Sequence, residues 1–272
     1  MRVRAGRMRI WLPAGILLLW AALAVFGPWL PLTPDGIDLQ RILAAPGDLA
    51  WLGADDLGRP VWDRLVVGAR TSFLVALWVV VLSAGSGALI GTLAGYVGGW
   101  WDLLTVRVID IFLAFPGILL AIALAGILGP GIDNVIIALS VVGWVGYARL
   151  ARAQVLSLKH RDHVQAAVAL GAGRGRIVIR HLLPLAAAPL IVEATFGIAG
   201  TVISEAGLSF LGLGVQPPAA SWGSMIRDGT PYMLVAPHLV LAPGVALMLV
   251  VLSVNLLGDR LRDRLDVHHN GD

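Results

Sequence analysis

The sequence predicts an all-α membrane protein with six transmembrane helices, and three observations carry that prediction. Of 272 residues, 58% are hydrophobic and only 14% are charged, a balance that leaves too little polar surface to wrap a water-soluble domain. Six apolar stretches, 10–30, 73–97, 108–128, 132–148, 182–203 and 236–257, approach the about 20 residues that a helix needs to cross the hydrocarbon. The basic residues are also unevenly distributed between alternate connections. Of the 20 lysines and arginines, only Arg41, Arg59, Arg64, Arg70 and Arg227 fall on one side, and the rest face the cytoplasm if both termini do.

The first span follows Arg2, Arg4, Arg7 and Arg9. Its Ala22-Leu23-Ala24 could pass for a cleavage site, but the apolar run continues to Leu30, beyond the about 7–15 residues of a signal core, so an uncleaved anchor is expected. An external segment rich in Pro, Gly and Asp follows. The second span carries Gly87, Gly91 and Gly95 on one helical face, where a neighbouring backbone can approach. Pro116, Pro189 and Pro243 remove backbone donors in the third, fifth and sixth spans and are candidate bends. Asp110 stands one turn from Arg107, and an ion pair is expected there. The fourth span is the shortest.

The longest cytoplasmic connection runs from Arg149 to His181 and contains VQAAVALGAGRGRIVIRHLLP, residues 164–184. Val164, Ala167, Val168 and Gly171 follow a helical i, i+3, i+4, i+7 pattern, giving a short helix with one small apolar face. Gly171, Gly173 and Gly175 are expected to end it, and the chain resumes through Ile177 and Arg180 into the fifth span. A face this small suits a protein groove better than lipid, although a helix lying on headgroups through its arginines is the alternative. In the fifth span Glu193 is an ionisable group in hydrocarbon, which either lines a polar pathway or sits neutral or hydrogen-bonded against a neighbour. A second external segment follows, and His238 and Asn255 mark the two ends of the last span. The chain divides into an N-terminal tail, first span and external loop (1–68), a five-helix transmembrane domain (69–258) and a cytoplasmic tail (259–272).

Chemistry is constrained by what is missing. There are no cysteines, so thiolate metal sites, disulfides and thiol redox chemistry are excluded. The sequence shows none of the HExxH, GxSxG or GxxxxGK[ST] patterns, so catalysis and a resident ATP site are not expected. Ser253 and His238 lie on one helix about 22 Å apart at 1.5 Å per residue, too far to share a proton. The arginines fall between apolar runs rather than on an aromatic-flanked face, which argues against nucleic acid. A proton-coupled secondary transporter with Glu193 as carrier is the alternative class, weakened by the lack of an internal repeat.

Residues 164–184 resemble the cytoplasmic EAA loop of ABC importer permeases, with Gln165, Ala166, Ala167, Gly171, Leu183 and Pro184 at the motif positions. GARTSFLVAL from Gly68, LAGYVGGWWD from Leu93, DIFLAFPGILLAIAL from Asp110, EAGLSFLGLGVQPPAASWGSM from Glu205 and NLLGDRLRDRLD from Asn255 extend the likeness. Together they resemble the second permease subunit of the dipeptide, oligopeptide and nickel family over roughly residues 50–266. The resemblance implies a type I ABC importer permease fold in a bacterial or archaeal cytoplasmic membrane. It also implies pairing with a homologous but distinct permease, docking of each permease on an ATPase through a coupling helix, and delivery of solute by an extracytoplasmic binding protein. ATP and Mg would be used by the ATPases, with no cofactor on this chain. Relatives handle peptides, nickel and glutathione. Two departures stand out: Gln165 replaces the motif's glutamate, removing a charge, and Leu185 stands where many relatives have asparagine.

Overall fold

A computed structural model describes residues 2–47 and 50–267; the last five residues of the predicted tail 259–272 lie outside the described residues. Among the described residues ten α-helices run in order: α1 (Arg2–Phe26), α2 (Val61–Val97), α3 (Gly99–Leu113), α4 (Gly117–Leu128), α5 (Ile132–Leu158), α6 (Asp162–Ala169), α7 (Arg174–Ile177), α8 (Leu183–Phe210), α9 (Trp222–Gly229) and α10 (His238–Val267). Two isolated bridges between α1 and α2 are the only β pairings among the described residues.

Among the described residues, five helices are long and apolar enough to cross a membrane, and α3 with α4 makes a sixth candidate if counted together. That pair divides the predicted third span, 108–128, at Pro116, one of the candidate bends. The axis turns by 87° between α3 and α4 because Pro116 has no amide to donate and its ring forces Phe115 out of helical geometry. Pro189 and Pro243 instead lie inside unbroken helices. The fourth helix is longer than predicted. The apolar run ends at Arg149, yet α5 continues to Leu158 because Arg152 has a partner: its guanidinium grips Asp102 of α3 with two hydrogen bonds, one of 2.7 Å. The expected Arg107–Asp110 pair does not form; the ion pair made by α3 is this one.

The chain forms two compact units. The first comprises residues 1–78, 122–138 and 198–257. Its core gathers Trp20 of α1, Ala69 of α2, Val202 of α8, Trp222 of α9 and Val250 of α10. Trp20 stacks on Trp222 with ring centres 6.0 Å apart and meets Phe73 edge-on at 5.1 Å. Each buried indole N–H needs an acceptor, and each finds a carbonyl of α2: Trp20 donates to Ala69 at 3.0 Å and Trp222 to Leu65 at 3.1 Å. Helix α9 starts at a capping box in which Ser221 and Ser224 satisfy each other's backbone amides.

The second unit comprises 79–121, 139–197 and 258–272, and the predicted glycine face organises it. A Cβ at Gly87 or Gly91 would overlap the carbonyl oxygens of Trp144 or Ala148 on α5, and one at Gly95 would stand 3.0 Å from that of Arg152. Successive contacts advance four residues on both helices, so α2 and α5 lie backbone to backbone along three turns. Adding a side chain there overpacks the seam, at a cost of about 1–3 kcal/mol. Gly91→Val is therefore expected to lower the melting temperature of the detergent-solubilised protein, whereas Gly85→Ala, whose Cβ meets nothing within 4 Å, leaves it unchanged.

Candidate coupling element and solute pathway

The predicted helix-turn-helix is present as α6, a turn and α7. Helix α6 ends in a Schellman motif: the Gly171 amide donates to the Val168 carbonyl at 2.9 Å and the Ala172 amide to that of Ala167 at 3.0 Å. This geometry requires a left-handed residue after the cap, and Gly171 supplies it with φ of +80°. The other two glycines act differently from expectation. Gly173 is extended and precedes α7, and Gly175 lies inside that helix. Neither is in the left-handed region, so Gly171 alone makes the turn.

The element stands on a dry foot. Val164 of α6, Ile177 of α7, Val178 and Leu182 beyond it, Ala186 of α8, and Val155 and Leu158 of α5 form one buried cluster, against which Ala172 and Leu183 pack. The single apolar face expected from the periodicity is thereby divided. Val164 is buried in the foot, while Val168 is 47% and Leu170 88% exposed. Ala166 is exposed and Ala167 half-buried, so the surface left for a partner is Ala166, Val168, Ala169 and Leu170. Gln165 points back into its own chain, its side-chain amide donating to the Lys159 carbonyl at 2.9 Å. There it satisfies an orphan acceptor at the end of α5.

Leu183 and Pro184 open α8 directly after a single π-turn over Val178–Leu182. Proline lacks the amide that would bond the carbonyl four residues back and its ring crowds that carbonyl; the wider π-turn lies where this conflict arises. The helix thus passes from α7 into α8 without a separate start, and Leu185 is not called on to cap it.

Glu193 borders a cavity of about 800 Å³, together with Gln154, Ser157 and Arg161 from the α5 side and Arg262 of α10. Its carboxylate runs past the bare backbone of Gly146, with Oε1 3.5 Å from where a Cβ would sit. The side chain is exposed to the cavity rather than buried against a neighbour. Asn255 and His238 lie in α10 as expected, His238 at its first position. None of the described residues forms a group able to hold a metal ion.

Two polar clusters in the first unit escape sequence reasoning. Glu205, assigned to an external segment, is inside α8 and 1% exposed, accepting hydrogen bonds from Ser72 at 3.0 Å and Ser209 at 2.7 Å. Ser209 is its i+4 neighbour and legible in principle, but Ser72 is 133 positions away. Arg64 is likewise buried, 3.5 Å from Asp55 and 4.0 Å from both Asp35 and Asp228, while Arg59 holds Asp55 at 2.7 Å. Buried charge is tolerated only when paired and hydrogen-bonded, and this network ties the loop between α1 and α2 to α9.

The long apolar helices, the bent α3–α4 pair and the short helical element on its foot define a type I ABC importer permease. Solved inward-facing structures of the MetNI methionine ABC transporter share the fold, with TM-scores of 0.55 and 0.54 at 22% identity; the first match covers 73% of this chain and 95% of that one. The chain belongs to the family described as binding-protein-dependent transport system inner membrane component, whose profile matches residues 87–267. It is 45% identical to the dipeptide transport system permease protein DppC of Alkalihalophilus pseudofirmus over 224 residues, 82% of this chain and 74% of that one. It is 42% identical to the glutathione transport system permease protein GsiD of Escherichia coli over 251 residues, 92% of this chain and 83% of that one. It is a transport subunit rather than an enzyme, and nothing found supports the proton-coupled alternative.

Removing the acceptor at Glu205 leaves two buried hydroxyls unsatisfied, at about 1–3 kcal/mol for each buried polar group. Glu205→Leu is expected to lower thermal stability in detergent well below that of Glu205→Gln, which retains an acceptor oxygen. Equal stability of Glu205→Leu and the parent would show the cluster to be energetically idle.

Proposed function

We propose that this chain is the second of two non-identical permeases in an importer of peptide-class solutes, paired as a heterodimer in the bacterial or archaeal cytoplasmic membrane with both termini cytoplasmic. Solute reaches its external face from an extracytoplasmic binding protein. Two ATPase subunits dock on the cytoplasmic side, one on this chain, and use the ATP and Mg; no cofactor is assigned to this chain. The division into 1–68, 69–258 and 259–272 is retained, with the middle segment as the translocating domain. Dipeptides and glutathione are favoured as solutes by the names of the relatives; nickel remains the inorganic alternative from the family resemblance.

One observation carries the coupling role: α6 and its cap present Ala166, Val168, Ala169 and Leu170 outward while Val164 anchors the element in a buried apolar foot shared with α5 and α8. An exposed leucine and valine beside two alanines is an apolar patch that lipid or a protein groove must cover, and the small residues permit close approach. Gly171 and Ala167 hold the shape of the element, Gln165 braces it from within, and Leu183 and Pro184 join it to α8. Pushing on α6 therefore moves the root of α8 with it. A nucleotide cycle can drive transport only if the ATPases contact two permease states unequally, and this element offers the contact. Glu193 is proposed to line the solute pathway.

A side chain in the left-handed region costs about 1–2 kcal/mol, enough to reduce the correctly shaped element about five- to thirtyfold. Gly171→Leu is expected to insert normally, co-purify poorly with the ATPases and lose most ATP-driven uptake. Gly171→Asn, which tolerates that backbone geometry, should restore much of it. Unimpaired uptake by Gly171→Leu would remove the docking role.

A further inference from the structure

We propose that the cavity beside Glu193 is an inner vestibule that holds the departing solute by its two charged ends, with an ammonium on Glu193 and a carboxylate on Arg161. This rests on the peptide-importer proposal above and specifies what its pathway recognises. The axis of the cavity follows from its walls. Leu158 and Leu182 meet in the buried foot, so α5 enters the foot where α8 leaves it and the two run antiparallel. Leu185 and Glu193 of α8 both line the cavity, as do Leu150 and Leu158 of α5; eight residues of helix make each wall about 12 Å long. Glu193 therefore stands at the end far from the foot, level with Gly146 and Leu150. Arg161 follows the last turn of α5 at the foot end, and Arg262 supplies a second cation from α10.

An anion at one end and cations toward the other select a solute of opposite polarity. The backbone positions of Glu193 and Arg161 are about 16–22 Å apart along the walls at 1.5 Å per residue; their flexible side chains close part of that gap, and an extended peptide of two or three residues, at most about 7–11 Å long, bridges the rest. Between them, Gln154 and Ser157 offer an amide and a hydroxyl to the peptide groups. Much of the remaining lining is apolar, including Pro189 and Val192, and such walls receive varied side chains without demanding any one of them. The volume of about 800 Å³ lies within the range of about 300–1,000 Å³ typical of small-molecule sites. A divalent metal ion finds only one carboxylate and two guanidinium groups, a poor donor set.

The test uses the complete importer in proteoliposomes, with ATP inside, the binding protein outside and labelled dialanine as transported solute. Unlabelled peptide loaded inside reaches the vestibule without passing the binding protein, so slowed uptake reports its occupancy. Internal dialanine is expected to inhibit the wild type. The half-inhibitory concentration should rise about tenfold or more for N-acetyl-dialanine and for dialanine amide, each lacking one charge-assisted contact. Glu193→Gln should weaken inhibition by free dialanine to the same extent, and acetylation should then add nothing, because the two changes remove the same contact. Arg161→Gln should behave in the same way toward amidation. The wild-type arm needs no variant to fold. The vestibule proposal is overturned if dialanine enters but acetylated and amidated peptides inhibit as strongly as free peptide, if internal peptide does not inhibit, or if Glu193→Gln responds like the wild type. Failure of the assembled wild type to take up dialanine at all would count against the peptide proposal itself, and the vestibule would fall with it.

Discussion

The approach of α2 to α5 without intervening side chains is the constraint on which the second unit depends. In a bilayer, apolar residues gain little by leaving lipid for protein, so helix association relies on close packing and on polar contacts. Gly87, Gly91 and Gly95 allow both, bringing the α2 backbone against the carbonyls of Trp144, Ala148 and Arg152. Once the two axes are this close, the last turns of α5 are positioned. Arg152 reaches Asp102, Lys159 donates to the Gly95 carbonyl at 3.1 Å, and Val155 and Leu158 are delivered to the foot. The α6–α7 element is built on α5 where that seam leaves it.

Rigidity of the element comes from combining several local devices, none large alone. The Schellman turn closes α6, the Gln165 amide braces it to the end of α5, and the buried Val164 and Ile177 pin both short helices to the same cluster. The π-turn accommodates Pro184, letting the chain continue as helix into α8 instead of hinging there. An eight-residue helix is too short to persist alone in water; tertiary anchoring makes α6 a firm surface. The absence of the motif's glutamate is also intelligible, since position 165 serves its own chain through an uncharged hydrogen bond.

The first unit solves a different problem, that of holding the irregular segments between its helices in a fixed arrangement. It uses buried polar groups with near-complete satisfaction: Arg64 and Arg59 among aspartates, Glu205 between serines, and two indoles on α2 carbonyls. Such groups are costly when half-satisfied and specific when complete. The order of these segments follows from internal contacts of this chain alone.

Much of this was legible in the sequence because hydrophobic length, glycine spacing and motif spacing are one-dimensional quantities. The helices, the glycine seam, the position of α6 and the family follow from them, and Glu193 stands out as a charge in oil. The extension of α5 past Arg149, the division of the α6 face and the buried state of Glu205 were not legible. Each depends on a partner distant in sequence: Asp102 for Arg152, the foot for Val164, Ser72 for Glu205. Periodicity reports which residues share a face, but only the folded chain determines what that face meets, because the energy of a polar or small residue in a membrane is set by the group opposite it.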